Sequence, residues 1–521
     1  MIKMRPKPNY MSLSRNALAI VLLFLLHTAS PAQQAVPALD KNDPELRAIL
    51  TEIEADAEKA RLKAKIPGMS IVIVHDQDVL LAKGFGYADL EKKIPADPQT
   101  VYRIGSVTKA FTALMLMQLR DAGKLQLDDP IEKYLPEFKI KSRFPDARPA
   151  TFRQVAAHYS GLPRDAPMLY EVQATDSVPS IEDQLKSLTN SEMLLPAMTM
   201  YSYSNLGYSI MGLALSRVAK QPYDQYVAAH ILKPLGMNYS GFALTEQMKK
   251  HFAVGYKPAG SDGTHERSSY PTVELATGML YSNVDDLANF LSLFFREGPR
   301  GGKQVLGSSS LLEMLIPVAV STDLSRDERG RPIHLWREGS TIGFSVNPFP
   351  PGEQIHYKDG GIAGFSSIVY INYPRKLGMA VLRNTFSPDE DDFSLGYDLL
   401  KKLTPVVVKS LERSQAKALE EALPKWQKYV GKYVITDTNA ISAITFSEFD
   451  VSILNQKLVI TIPEVRPGSR VWAKEVPLEP FGNNDFKIAG GSFGNKFITF
   501  ESNNDGSMIL KWRDYVFKRQ P

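Results

Sequence analysis

Strand-type alternation occurs in two widely separated places between residues 43 and 403 of this chain. Residues 69–75 and 79–85 read as a strand pair joined by a turn at Asp76-Gln77-Asp78, and residues 366–372 and 377–382 form a second strand pair. Between them, apolar residues fall at helical spacing over 151–157, 206–219, 223–232 and 285–295, the last started by Ser282 or Asn283. Strand backbones must find partners. Two hairpins so far apart satisfy one another by joining a single antiparallel sheet flanked by the intervening helices, an α+β architecture. A helix over 43–64, with Leu46, Ile49, Leu50, Ile53 and Ala57 on one face, precedes the sheet, and a helix over 394–403 closes the domain.

Beyond this domain the pattern changes. Residues 404–424 form a linker that is charged and helical from about Ser410 and ends at Pro424. From 425 to 521, short alternating segments at 443–446, 451–453, 457–461, 497–500, 508–512 and 515–517 are separated by Asn- and Gly-containing turns. Such spacing predicts a small all-β antiparallel barrel of ~100 residues.

Residues 1–32 carry Lys3, Arg5, Lys7 and Arg15, then the ten-residue apolar run 17–26, then Ser30-Pro31-Ala32. This is the layout of a signal peptide, and the run falls short of the roughly 20 residues that span a bilayer. The expected location is therefore periplasmic or secreted, with no stable membrane span after cleavage. Lys plus Arg number 61 and Asp plus Glu 57, so the four basic residues of the leader account for the formal +4. A neutral remainder lacks the basic footprint of a nucleic-acid binder. There is no cysteine, hence no disulfide and no thiol nucleophile, and the eight histidines form no metal motif. No metal and no cofactor is expected.

The chemistry-bearing signal is Ser106-Val107-Thr108-Lys109, which follows Gly105 and opens the apolar run 110–119. Serine and lysine three apart at a helix start share a face, so a poor nucleophile gains an amine partner. The serine N–H also points out of the helix N-terminus, where negative charge is stabilised. The same spacing at Ser414 and Lys417 lies in a charged stretch and reads as a solvated face. Two further motifs single out Ser106. Tyr203-Ser204-Asn205 stands just before a helix and supplies a phenol that can relay a proton and an amide that can bond an amine. Lys358-Asp359-Gly360-Gly361 precedes the late strands, and a lysine followed by glycines on an edge strand brings a cation and an unobstructed N–H to one cleft.

With those three motifs in that order, the chain resembles the serine β-lactamase and penicillin-binding-protein superfamily, in its class C-like branch. That branch also holds D-aminopeptidases, D-Ala-D-Ala carboxypeptidases and family VIII esterases. The surrounding segments at 127–136, 158–163 and 233–237 look like the family too, over residues from about 44 to 403. The tail is similar to the lipocalin-like barrel often appended to such hydrolases. The resemblance implies Ser106 as nucleophile, Lys109 as its neighbouring amine, Tyr203 as base and then acid, and Asn205 as the group holding the network. Lys358 would lower the proton affinity of Lys109 and Tyr203, and the N–H groups of Ser106 and Gly361 would form the oxyanion hole. Asp359 and Gly360 would line the substrate site. A second Tyr-Ser-Asn at 281–283 reads as a helix cap, His158 as structural, and His356 as a less well-spaced alternative to Lys358.

One position departs from the family, which usually has Thr or Ser where this chain has Asp359. An ionised carboxylate cannot donate to a substrate carboxylate and repels it. The reading that follows is an exported serine hydrolase acting through an acyl-enzyme on small amides or esters, with a small molecule or peptide as its partner. A true class C-like β-lactamase and a penicillin-binding-type sensor with little turnover stand as alternatives. The sequence does not specify an oligomeric state.

Overall fold

The computed structural model describes residues 39–166, 191–261, 263–268, 275–295, 303–326, 332–347, 354–386, 394–436, 448–461, 475–480, 484–488, 497–503, 506–512 and 515–521, with isolated residues between 180 and 188. The leader, part of the loop 164–195 and the strand expected at 443–446 lie outside the described residues. No helix among the described residues is long and apolar enough to cross a membrane. The chain divides into a unit spanning 39–410 and a second containing 411–521.

In the first unit, β1 (Gly68–His75) and β2 (Asp78–Asp89) form the early hairpin, extended by β3 (Ile94–Pro95). A separate two-stranded ladder joins β4 (Tyr102–Arg103) to β5 (Tyr281–Ser282). Then come β6 (Ala319–Arg326), β7 (Pro332–Ser340), β8 (Ser345–Asn347), β9 (Ile355–Ile362), β10 (Phe365–Asn372) and β11 (Leu377–Arg383). The main sheet has nine strands in the order β3-β2-β1-β11-β10-β9-β8-β7-β6. Its centre is where the two ends of the domain meet, β1 against β11 from Met69↔Arg383 to His75↔Leu377. Every residue of β1 is buried, as a strand paired on both edges and covered on both faces must be.

Burial follows the sequence periodicity. Helix Pro44–Lys63 is capped by the Asp43 carboxylate and buries Leu46, Ile49, Ile53 and Ala57. At roughly 1.5–3 kcal/mol for each fully buried large aliphatic side chain, this stripe fixes the helix in place. Helix Thr108–Asp121 has buried residues all round, from Thr108 to Met117 and at Leu119, and runs through the core beside helix Val284–Ser292. The Phe111 and Phe290 rings stack at 4.5 Å between them.

The second unit is a closed antiparallel barrel, β12 (Gly431–Ile435), β13 (Glu448–Leu454), β14 (Lys457–Thr461), β15 (Glu475–Pro480), β16 (Asp485–Ile488), β17 (Phe497–Ser502), β18 (Met508–Trp512) and β19 (Tyr515–Arg519), with β12 pairing β19. Asn455 and Gln456 both take positive φ, giving the two-residue turn that matches strand twist in a hairpin. Tyr433, Phe449, Phe486, Phe500 and Phe517 pack inside, and Tyr429 stacks on Phe500 at 4.4 Å.

Two details differ from the sequence reading. The expected linker is part of one helix, Ser394–Trp426, which continues through Pro405 and past Pro424. An interior proline forfeits one hydrogen bond. Here Leu400, Leu403 and Val407, on either side of the exposed Pro405, are buried, and their packing holds the helix. Secondly, β9 is not a sheet edge, because residues 355–357 pair with β8. That pairing stops at Tyr357, so Lys358–Ile362 still have one side unpaired within the sheet. The expectation was wrong for the strand and holds for the half carrying the motif.

Asn384 ties this architecture at one point. Its side chain accepts from Gly68 N at 2.6 Å and donates to Tyr87 O at 3.0 Å, binding the start of β1, the end of β2 and the exit of β11. Asn384→Ala leaves buried backbone groups unpaired and should destabilise the first unit by about 1–3 kcal/mol. The check is a denaturant midpoint, and an unchanged midpoint would show that water replaces the amide.

Candidate active site

The polypeptide reaches Ser106 through a strained turn. Gly105 has φ +47°, and a Cβ there would lie 3.1 Å from Gly361 N. Ser106 sits in the 3₁₀ turn Gly105–Val107 that leads into helix Thr108–Asp121. Thr108 Oγ1 donates to Gly105 O at 2.7 Å and accepts from Leu280 N at 3.2 Å, which locks the turn to the residue before β5. On the other side the turn is pressed against β9. A Cβ on Gly360 would lie 2.2 Å from Ile104 O and 2.8 Å from Ser106 N, so only glycine lets the two backbones touch. Ser367 Oγ from β10 closes the seam by donating to Ile104 O at 2.7 Å.

The helix turn does what the spacing requires. Lys109 Nζ donates to Ser106 Oγ at 3.0 Å, to Asn205 Oδ1 at 2.9 Å and to Thr277 O at 2.9 Å. Tyr203 OH donates to Ser106 Oγ at 2.7 Å. Lys358 Nζ lies 5.1 Å from the centre of the Tyr203 ring, and Lys109 Nζ lies at the same distance. All five side chains expected at the site are therefore together, with both glycines against the nucleophile turn.

The electrostatics follow from crowding cations around a buried phenol. Burial opposes ionisation of Tyr203, yet the ammonium groups of Lys109 and Lys358 outweigh it and lower its pKa. Burial also holds the Lys109 ammonium below its ordinary pKa, with Tyr203 opposing and Lys358 reinforcing. Lys358 is buried too, but Tyr203 and Asp359 more than offset that, and its proton is held more tightly than in an ordinary lysine. Asp359 lies 3.6 Å from Lys358 Nζ and is 41% exposed.

The other candidates separate cleanly. His158 is buried, accepts from Ser204 N at 3.2 Å and lies under Tyr203 with ring centres 4.3 Å apart. Burial, then Lys358, Lys109 and Arg164, push its pKa well down, so it serves as a neutral platform. His356 bonds the Leu315 carbonyl at 2.7 Å and points into the core. Tyr281 belongs to β5, and Asn283 caps helix Val284–Ser292 by accepting from Asp286 N at 2.8 Å. Ser414 and Lys417 lie in helix Ser394–Trp426, in the second unit.

Sequence reasoning missed Asp165 and Thr277. Asp165 accepts from Asn205 Nδ2 at 2.8 Å, and Thr277 acts through its backbone carbonyl, which no residue type announces.

A family model described as Beta-lactamase matches residues 49–403. This chain belongs to the beta-lactamase family. Among curated relatives of this beta-lactamase-family chain, Protein flp of Staphylococcus aureus (strain MW2) is 30% identical over 341 residues, 64% of this chain and 62% of the relative. Beta-lactamase-like protein 2 of Dictyostelium discoideum is 29% identical over 369 residues, 70% of this chain and 64% of that protein. The chain thus spans somewhat under two thirds of the length of these relatives. Among solved structures, the octameric penicillin-binding protein homologue from Pyrococcus abyssi is 26% identical with a TM-score of 0.57, covering 90% of this chain and 100% of that one. A beta-lactamase/D-alanine carboxypeptidase from Yersinia pestis shares the fold, with 22% identity, a TM-score of 0.55 and coverage of 70% and 99%. The first unit accordingly has the serine-hydrolase fold of beta-lactamases and D-alanine carboxypeptidases.

The two Tyr-Ser-Asn copies give different expectations for hydrolysis. Asn283→Ala removes a cap and should cost about 1 kcal/mol of stability with hydrolysis unchanged. Asn205→Ala removes an acceptor from the buried Lys109 ammonium and should slow reaction at Ser106 as well as lower the melting temperature. Parallel thermal melts and rates decide it, and a reversed pattern of rates would mean the motif copies have been exchanged.

Proposed function

We propose that this chain is an exported serine hydrolase that forms an acyl-enzyme on Ser106 and hydrolyses small amides or esters, peptidase or esterase in character. The observation that carries the reading is the pair of bonds at Ser106 Oγ, from Tyr203 OH at 2.7 Å and Lys109 Nζ at 3.0 Å. A serine hydroxyl held between a cation and a phenol of lowered pKa has a path for its proton.

In this mechanism Ser106 Oγ attacks the substrate carbonyl as its proton passes to the Tyr203 phenolate. The positive charges of Lys109 and Lys358 favour that phenolate. The N–H groups of Ser106 and Gly361, brought together by the Gly360 contact, receive the oxyanion, at roughly 3–4 kcal/mol per donor in comparable sites. Tyr203 then returns the proton to the leaving amine or alcohol. Water attacks the ester on Ser106, giving its proton to Tyr203, and the second tetrahedral species expels Ser106 Oγ, which takes that proton from Tyr203 and restores the phenolate. The apolar run ending before Ala32 supports export through a cleaved leader.

Asp359 bears on substrate class. Its partly exposed carboxylate beside Lys358 favours esters, amides without a free carboxylate, or substrates carrying an amine. A penicillin-binding-type acceptor with slow deacylation is the second reading, favoured by the Pyrococcus penicillin-binding protein homologue and its coverage of 90% of this chain.

Ser106→Ala should abolish both hydrolysis and fluorophosphonate labelling across a panel of p-nitrophenyl esters, nitrocefin, D-amino-acid amides and D-Ala-D-Ala peptides. An intact-mass adduct on that variant would remove Ser106 from its role. Asp359→Thr exchanges a repulsive group for a donor and should raise kcat/KM for nitrocefin by about 5- to 150-fold, with a smaller change for p-nitrophenyl butyrate. Equal proportional changes on the two substrates would mean that Lys358 already neutralises Asp359.

A further inference from the structure

The segment carrying Asp165 is fastened to the start of helix Asn205–Ala219 by four bonds. Ser204 Oγ donates to Pro163 O at 2.6 Å, and Arg164 O accepts from Asn205 N at 2.7 Å and Leu206 N at 3.1 Å. The fourth is the side-chain bond from Asn205 Nδ2 to Asp165 Oδ1 at 2.8 Å. Asp165 is only 22% exposed, and among the described residues Arg164 lies 3.6 Å from it as a charged neighbour.

An asparagine amide has a donor end and an acceptor end, and either could face Lys109. An ionised carboxylate only accepts, so it can bond only the Nδ2 end. With Nδ2 held by Asp165, Oδ1 must point the other way, to Lys109 Nζ at 2.9 Å. The Lys109 ammonium has three donors, and Asn205 Oδ1, Thr277 O and Ser106 Oγ are three acceptors. Reversal of the amide would set an NH₂ group against the ammonium and break that match.

We propose that Asp165 is a positioning residue: by accepting from Asn205 Nδ2 it fixes the amide with its oxygen toward Lys109 and so keeps the ammonium in register with Ser106. This rests on the acyl-enzyme reading above. The groups around Tyr203 are Lys109 from the helix after Ser106, Lys358 with Asp359 from β9, Arg164 with Asp165 from the loop, Tyr201 from its own segment, Tyr208 from helix Asn205–Ala219, and the neutral His158 platform. Loss of Asp165 lets the amide turn and favours a neutral Lys109. Tyr203 then loses part of the positive field that favours its phenolate, and its proton is released only at higher pH.

The test compares Asp165→Leu and Asp165→Asn with the parent in the full chain, by the rate of fluorophosphonate labelling at Ser106 as a function of pH and by thermal melts. Asp165→Leu should label about 10- to 100-fold more slowly, the scale of a small misplacement of a reacting group. Its acid limb should move to higher pH, with the melting temperature within about 2 °C of the parent. Asp165→Asn can offer Asn205 either an acceptor or a donor and so fixes the amide less firmly than the carboxylate, and it should label at a rate between those of Asp165→Leu and the parent. Labelling of Asp165→Leu at the parent's rate and with the parent's pH profile overturns the role, as does a slower rate with an unmoved acid limb or no recovery in Asp165→Asn. Absence of any Ser106 adduct on the parent overturns the acyl-enzyme reading and this proposal with it.

Discussion

A buried ammonium is the constraint on which the first unit depends. Lys109 is wholly out of solvent, and removing a cation from water costs several kcal/mol even after relaxation. The cost is offset only if its donors meet oxygen atoms in good geometry, and they do so with Ser106, Asn205 and Thr277. Those acceptors come from the nucleophile turn, the start of a helix almost a hundred residues later, and the segment before β5. The charge therefore specifies how three distant parts of the chain must stand. The same contact places the cation 3.0 Å from Ser106 Oγ, so the bond that satisfies the charge is also one that the proposed reaction uses.

The sheet supplies the other half of the site by a different means, close backbone approach. β9 is paired to β8 only as far as Tyr357, and the freed stretch from Lys358 to Ile362 lies against the turn carrying Ser106. Gly105 and Gly360 are small because each faces backbone within van der Waals distance. A side chain at either place would separate the N–H groups of Ser106 and Gly361, which the proposed mechanism uses together. Lys358 arrives on the same strand, one pleat away, and adds its charge to the field around Tyr203. That field explains why burial does not raise the phenol's pKa here as it does for Tyr102 and Tyr223, which lack cations beside them.

Asp359 is the point at which this chain's own chemistry enters. The first unit shares its scaffold with beta-lactamases and D-alanine carboxypeptidases, and in the proposed reaction the carboxylate beside Lys358 would select against anionic substrate ends. Asp165 is a second acidic residue near the site, pointing at an amide rather than at open cleft. In the proposed reaction one carboxylate would act on the substrate's charge and the other on the protein's own hydrogen-bond polarity.

Much of this was legible in the sequence because it is carried by local periodicity and short spacing. The helix over 44–63 announces itself through Leu46, Ile49 and Ile53, both hairpins through alternation, and the Ser106–Lys109 pair through one helical turn. The barrel's existence was legible too, although β12, β15 and β16 are too short and mixed to stand out. The continuous helix through Pro405 was not, since packing of Leu400, Leu403 and Val407 overrides a local breaker. Neither was β8 beside β9, because strand neighbours are set by pairing across the sheet. The sequence also left two Tyr-Ser-Asn copies in play, and the resemblance that favoured the first could not show their contacts. The fold shows Tyr203 against Ser106 and Asn283 on a helix end. Residue types and their spacing determined which chemistry this chain could perform. Only the tertiary structure decided that Thr277 O and Asp165 belong to the site, because a backbone carbonyl and a bond across forty residues leave no mark on spacing.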